Sequence, residues 1–268
     1  MNQISQPWLD YKETFQLCSN LWHIGGISNP SYLLDTGDGL LLLDTGGPYT
    51  AYQIIQHINE LKKNVLDVRW ILHSHGHIDH FGSTRVISEL TGAKTYIGAE
   101  DKNIANGTLD LSWAKELNTV YNAPFEADVL LHDGDILHFG NTTFKCLAAP
   151  GHTQGTMAYF FNVEDNGTEL RAGMHGGVGF NSMQMSFLRK YGLSANCRKQ
   201  FLHGLERLKK EHVDIFVGNH LPNNHSDEKI QMKKQNPDGK NPFIDSSEWH
   251  RFLTQTEINF QHFLANDN

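Results

Sequence analysis

The run His73-Ser-His-Gly-His-Ile-Asp-His-Phe-Gly82 holds four groups with metal-ligand chemistry: His75, His77, Asp79 and His80. Imidazole nitrogen and carboxylate oxygen are the donors that suit zinc and similar divalent ions. The spacing His-x-His-x-Asp-His is too short to be explained by the faces of a strand or a helix. It predicts a loop folded around a pair of metals. Buried without metal, the same cluster would need a separate hydrogen-bond partner for each ring.

Two single histidines extend this set. His152 lies in Ala149-Pro-Gly-His-Thr-Gln-Gly155 and His220 in Val217-Gly-Asn-His-Leu-Pro222, each directly after a predicted strand. A strand end fixes a side chain rigidly, and a glycine-rich turn lets backbone approach a ligand closely. Alone, each would be an ordinary loop histidine. Beside the cluster both become candidate ligands, because a metal pair needs about this many donors.

The elements that must carry these residues follow from the apolar pattern. Short strands are predicted over Leu21–Ile24, Ser31–Asp35 and Leu40–Asp44, separated by glycine turns. Thr50–Lys62 has apolar residues at helical spacing, and Val68–His73 is a buried strand that delivers the chain to the cluster. A helix over Gly82–Leu90 and a strand over Lys94–Ile97 follow. The polar, irregular stretch Asn103–Phe125 is expected to cover the site. A second strand set is predicted over Val129–Leu131, Ile136–Phe139, Thr143–Ala148 and Met157–Asn162. Then come a helix over Arg198–Glu211, a strand over Val213–Val217, a solvated loop or linker over Ser226–Asn241 and a closing helix over Phe243–Leu264. Each half (about residues 1–130 and 131–268) runs from strands to helix. That order suggests two facing sheets with helices outside, in a single domain over residues 1–268.

Composition narrows the function classes. The 268 residues, 39% hydrophobic and 19% charged, describe an ordinary globular protein able to bury a large core. A net charge of −8 argues against a nucleic-acid surface. No stretch approaches the apolar length that spans a membrane. The start lacks a basic region and an apolar signal core, so the chain is cytoplasmic as written, or periplasmic or extracellular if a signal has been removed. Three distant cysteines, Cys18, Cys146 and Cys197, make no disulfide or zinc-knuckle framework.

His75-x-His77-x-Asp79-His80, then Pro150-Gly-His152-Thr, then the late His220, resembles the metallo-β-lactamase superfamily over about residues 15–225. Leu43-Asp44-Thr45-Gly46 resembles that family's first motif. The resemblance implies a four-layer αββα sandwich, an α/β fold with metals at one edge of the sheets. Many members place a bridging Asp between the Pro-Gly-His motif and the last His. This sequence has Ala172-Gly-Met-His-Gly176 there. That departure is similar to the third (B3) subclass, as are Trp22-x-Ile24-Gly25, Glu89-x-Thr91-Gly-Ala-Lys94 and Asn106-Gly107. Carried over by motif, His75, His77 and His152 hold metal one, and Asp79, His80 and His220 hold metal two. Zinc is the default, with iron or manganese as alternatives.

What the resemblance implies chemically is hydrolysis by a water activated between two metals, with Asp79 as ligand and orienting group. The substrate is a small molecule, foremost the lactam ring of a β-lactam. Alternatives are another ester, thioester, lactone or amide, or a metal-binding scaffold without catalysis. His175, near the missing bridging position, and Asn181 and Ser182, in a glycine-rich stretch after a strand, are candidate substrate contacts. His175 is also a candidate neighbour of metal two. Ile104, Trp113 and Tyr121 are candidates for an apolar wall. Asp44 either supports the ligand loop or caps a turn, and His73 is expected behind the ligands rather than among them. Oligomeric state and the physiological substrate are not legible in the sequence.

Overall fold

A computed structural model describes residues 6–119 and 123–267. Its first sheet has seven strands in sequence order: β1 Phe15–Cys18, β2 Leu21–His23, β3 Tyr32–Asp35, β4 Leu40–Leu43, β5 Val68–Leu72, β6 Lys94–Gly98 and β7 Val129–Leu131. The second has five: β8 Ile136–Phe139, β9 Thr142–Ala148, β10 Met157–Asp165, β11 Thr168–His175 and β12 Ile215–Phe216, ordered β12-β11-β10-β9-β8.

The period-two direction of strand side chains explains how apolar runs serve two cores at once. In β4, Leu41 and Leu43 enter the core between the sheets. Leu40 and Leu42 face the other way, onto α1 (Ala51–Glu60) and α3 (Thr84–Thr91) through Ile54, Ile58 and Ile87. In β10, Tyr159 and Phe161 point between the sheets, and Ala158 and Phe160 point outward. The outer face of the second sheet packs on α5 (Met185–Tyr191), α6 (Cys197–Leu208) and α8 (Glu248–Asn266), through Leu188, Phe201, Leu205, Trp249 and Leu253. The order is therefore helix, sheet, sheet, helix, the expected four-layer sandwich. Among the described residues no helix is long and apolar enough to cross a membrane.

Several elements differ from expectation. Phe15–Cys18 is a strand that the pattern did not reveal, and Met185–Tyr191 is a helix. Ser226–Gln235, expected as a solvated linker, is a helix, α7. Its acids lie in the first turn (Asp227, Glu228) and two of its three lysines in the last (Lys233, Lys234), matching the helix dipole. It lacks an apolar stripe, and a buried ion pair from Lys229 to Glu248 ties it to α8. The closing helix begins at Glu248 rather than Phe243, because Phe243 is buried in the core between the sheets.

The edge where β4, β5, β9, β11 and β12 end holds the motif loops. Backbone and tyrosine hydrogen bonds lock the two sheets together there. Met157 N donates to Ser74 O at 2.9 Å, and Tyr159 Oη to His73 O at 2.6 Å. Tyr32 Oη donates to Gly218 O at 2.6 Å. Each bond joins a ligand-bearing loop to the opposite sheet.

One histidine lies in the first sheet without a polar partner. His23 stacks on Phe15 of β1 (centroids 4.7 Å) and meets Tyr32 of β3 edge-on (5.4 Å). Both ring nitrogens are buried without hydrogen bonds. Burial, reinforced by His57 and Lys12, lowers its pKa to about 3. A base whose folded pKa is depressed contributes stability above its unfolded pKa, and that contribution is lost as pH falls toward the folded value. Between pH 7 and pH 5 this residue alone is expected to cost about 2 kcal/mol of folding free energy. Urea unfolding should show a flatter pH dependence over that window for His23→Phe, with stability at pH 7 equal to or above the parent. An unchanged slope would contradict this account.

Candidate metal centre

β5 ends at Leu72, and the ligand loop begins with a residue that faces away from it. His73 Nδ1 bonds Tyr96 O at 2.8 Å and its Nε2 bonds Thr84 Oγ1 at 2.6 Å, which pins the strand end to β6 and α3. His75 and His77 follow in an extended loop, and the one-turn helix α2 (Ile78–Phe81) presents Asp79 and His80. Ile78 N donates to Ser112 O, so the covering segment is tied to the ligand loop.

Two buried carboxylates organise this loop. Asp44, the first residue beyond β4, has φ +58°. A non-glycine residue rarely adopts that conformation, and it is held here by what the carboxylate does. Oδ1 accepts from Ser74 N at 2.7 Å; Oδ2 accepts from Ser74 Oγ and from His80 Nδ1, both at 2.7 Å. Asp44 thus supports the ligand loop and is no mere turn cap. Asp101 accepts from Gly76 N at 2.7 Å, from Gly155 N at 2.8 Å and from Thr153 Oγ1, and so ties the His75–His80 loop to the His152 loop. Burial pushes its pKa up to about 6 against the pull of those three donors. Sequence reasoning missed Asp101, which ends the short turn Ala99–Asp101 away from either motif; the one available signal was an acid just after a predicted strand.

The structure brings the predicted donors together as two groups. His75, His77 and His152 form one, and Asp79, His80 and His220 the other; within each, the ligand atoms lie within 4.8 Å of one another. His75 Nε2 faces His152 Nε2 at 3.1 Å, and His80 Nε2 faces His220 Nε2 at 3.3 Å. The far sides of these rings decide what the near sides carry. His80 Nδ1 meets the Asp44 carboxylate, and His152 Nδ1 meets Gly179 O at 2.8 Å. Both partners only accept, so each Nδ1 carries the proton and each Nε2 a bare lone pair. Ser74 Oγ, already donating to Asp44, accepts from His75 Nδ1 at 3.0 Å with the same result. Lone pairs facing each other in a buried pocket repel unless a cation lies between them. The donor set therefore fits a pair of divalent ions.

Protonation agrees. Burial, then the neighbouring imidazoles, holds the pKa of His75 and His77 well below the usual value. Burial lowers that of His152 to about 4 and also lowers that of His220. These rings are neutral at neutral pH, the form in which an imidazole can ligate a metal. Burial opposes protonation of His80, but Asp79 and Asp44 outweigh it and raise the pKa. The centre opens to solvent on the side of Asp79 and His220, which are half-buried, whereas His75 and His80 are fully enclosed.

The remaining candidates are placed as follows. His175 lies outside both groups, buried against Phe201, with Gly177 N donating to its Nδ1 at 3.2 Å. Burial lowers its pKa to about 3. Ser182 Oγ donates to His152 O, and Asn181 Oδ1 is buried without a partner. The glycine-rich stretch packs on a ligand ring: a Cβ on Gly177 would stand 2.4 Å from His152 Cδ2. A side chain there would displace the ring. Trp113 lies between the rings of His77 (5.7 Å) and Phe187 (4.6 Å), and Ile104 lines a cavity of about 390 Å³ beside His77 and His152. Tyr121 falls outside the described residues.

Comparison with known proteins matches this geometry. Residues 24–165, more than half of the chain, match the family model of the metallo-beta-lactamase superfamily, and the chain belongs to that superfamily. An uncharacterized protein of Aquifex aeolicus is 32% identical over 128 residues, 47% of this chain and 56% of that one. A hydroxyacylglutathione hydrolase of Pelagibacter ubique is 29% identical over 121 residues, 44% of this chain and 41% of the other. The chain thus spans about half the length of these curated relatives. Among solved structures, the FEZ-1 metallo-beta-lactamase of Legionella gormanii superposes with a TM-score of 0.86 at 25% identity, over 96% of this chain and 97% of that one. The class B3 di-zinc metallo-beta-lactamase LRA-12 from an Alaskan soil metagenome gives 0.80 at 25% identity, over 96% of each chain.

Two substitutions test the supports. In Asp44→Asn an amide replaces one acceptor oxygen with a donor facing Ser74 or His80. Affinity at the Asp79–His80–His220 group should fall by about 10- to 100-fold, read by competition with a chromogenic chelator. Asp101→Ala leaves the buried N–H groups of Gly76 and Gly155 unpaired, while Thr153 Oγ1 can still bond Thr156 Oγ1, and should destabilise folding by about 3 kcal/mol in urea unfolding. A variant as stable as the parent would remove the proposed tie between the two loops.

Proposed function

We propose that this protein is a two-metal hydrolase that opens the lactam ring of β-lactams. The observation that carries this is the donor set itself. Three histidines form one group, Asp79, His80 and His220 form the other, and the strand end at Gly173-Met-His175 adds no carboxylate between them. The likeness to class B3 structures supports the same choice. In this proposal His75, His77 and His152 hold metal one, and Asp79, His80 and His220 hold metal two. Zinc is the expected metal, and iron or manganese suits the same donors.

When bound, such a pair polarises the scissile carbonyl and lowers the pKa of a shared water toward neutrality. The chain supplies position and proton placement. Asp79 Oδ2, 3.5 Å from His80 Nε2 and 3.8 Å from His220 Nε2, would join those rings in holding metal two, and its carboxylate would orient the attacking water. Asp44 and Ser74 hold His80 and His75 in the tautomers that leave Nε2 bare. Trp113 screens the His77 side from solvent. The sequence has no Gly-x-Ser-x-Gly turn, which agrees with hydrolysis without a covalent enzyme intermediate.

A second reading, hydrolysis of another acyl bond (thioester, ester, lactone or amide), is favoured by the likeness to a hydroxyacylglutathione hydrolase. Zinc-loaded protein and a chromogenic cephalosporin separate the two. Ring opening is expected, with a loss in His77→Ala of at least about 100-fold, exceeding what loss of a ligand's support causes. Turnover no faster than this variant would remove the β-lactam proposal, and a panel of thioesters and lactones would then test the second. Chelation should abolish turnover and lower Tm, since a metal bound only by the folded state stabilises it. Elemental analysis of protein made without added metal identifies the ion.

A further inference from the structure

The cavity of about 390 Å³ beside His77 and His152 runs from the metal centre toward α5 and α6. Ile104, Leu109, Leu111, Phe187, Leu188 and Leu193 give it an apolar wall. The polar lining is neutral or acidic: Gln154 and Gln200 are amides, and Glu100 and Asp101 are acids. Among the described lining residues there is no lysine or arginine. Lys102, Arg189, Arg198 and Lys199 adjoin lining residues in the chain but are not part of the lining, and Arg198 pairs with Asp267. The smaller cleft on the other side, against Asp79, is lined by Asp10, Asn29 and Tyr49 and also lacks a basic residue. Asp101 is fully buried and turned to its three donors, so Glu100, exposed at the cavity, is the charge that an entering group meets.

Resting on the hydrolase reading above, we propose that this cavity is the acyl subsite. It takes an apolar side group, uncharged or cationic, next to the scissile carbonyl, and rejects a carboxylate. The apolar wall removes an aromatic or aliphatic group from water, a favourable transfer in proportion to the area covered. A carboxylate placed there loses its hydration, finds no donor cation and faces Glu100. Selection is by exclusion: the cavity carries an element that opposes the wrong ligand. Glu100 and Leu193 are the specificity-determining positions. Glu100 supplies the repulsion, and Leu193, part-exposed at 37%, marks the apolar rim.

Benzylpenicillin, ampicillin and carbenicillin test this directly, because they share one nucleus and differ at one benzylic carbon, which bears hydrogen, ammonium or carboxylate. With the zinc-loaded full chain, kcat/KM for carbenicillin should lie at least about tenfold below the other two. Glu100→Gln should narrow the ampicillin-to-carbenicillin ratio, and Leu193→Arg should raise carbenicillin relative to benzylpenicillin. Carbenicillin turned over as well as benzylpenicillin would overturn the proposal. If none of the three is opened, the β-lactam proposal falls and binding decides the cavity. Phenylacetamide, phenylglycinamide and the monoamide of phenylmalonic acid are then titrated against the fluorescence that Trp113→Phe removes. The first two should bind more tightly than the third; equal or tighter binding of the carboxylate would overturn the subsite.

Discussion

Imidazole lone pairs held face to face are the constraint on which this structure depends. His75 Nε2 against His152 Nε2 at 3.1 Å is a contact of two bare lone pairs that a folded chain does not make for its own stability, and His80 Nε2 stands 3.3 Å from His220 Nε2 in the second group. Acceptors on the far side of three rings hold their Nδ1 protons: the Asp44 carboxylate for His80, Ser74 Oγ for His75 and Gly179 O for His152, and burial disfavours the charged form of His75, His152 and His220. The stability lost in packing bare lone pairs together is recovered when cations bind, so metal affinity and fold stability are one quantity divided between two states.

That arrangement requires loops from both sheets to meet with little tolerance, and the inter-sheet hydrogen bonds show how this is achieved. Tyr159 and Tyr32 each sit in the core between the sheets and donate to a backbone carbonyl beside a ligand, His73 O and Gly218 O. Asp101, at the end of a short turn after β6, joins the loops in the opposite sense, accepting from the backbone N–H groups of Gly76 and Gly155. Core packing therefore sets the distance between the two ligand groups. Large buried side chains such as Phe144 and Phe161, stacked at 4.4 Å, are part of the metal centre's precision although they touch no ligand.

The donors were legible in the sequence because metal chemistry allows few residue types and the loop crowds four of them together. His152 and His220 were legible because each follows an apolar run that ends in a glycine turn. The two-sheet order was legible from runs such as Leu40–Leu43, although only the structure shows that the four leucines divide between two cores. What stayed hidden has physical reasons. Asp101 and Ser74 act through geometry across loops, which no local pattern encodes. Ser226–Gln235 read as linker because its helix depends on end charges and one buried ion pair, not on an apolar stripe. His175 attracted attention by its position near an absent carboxylate, yet its ring is packed against Phe201.

The absence of a second carboxylate has a consequence for charge. Two divalent ions would face one ligand carboxylate, Asp79, with Asp44 behind His80 as the nearest other acid. The centre would keep a net positive charge in a half-enclosed site, where fields are weakly screened. In the proposed reaction an anionic group beside the scissile bond would be held by that charge, consistent with the lack of lysine and arginine among the described residues lining the two clefts. The same field weakens with distance into the cavity lined by Leu109, Phe187 and Leu193, where Glu100 is the exposed acid among the described lining residues. Attraction at the reacting bond and exclusion at the acyl end then become separate properties, one set by the ligand count and the other by the wall.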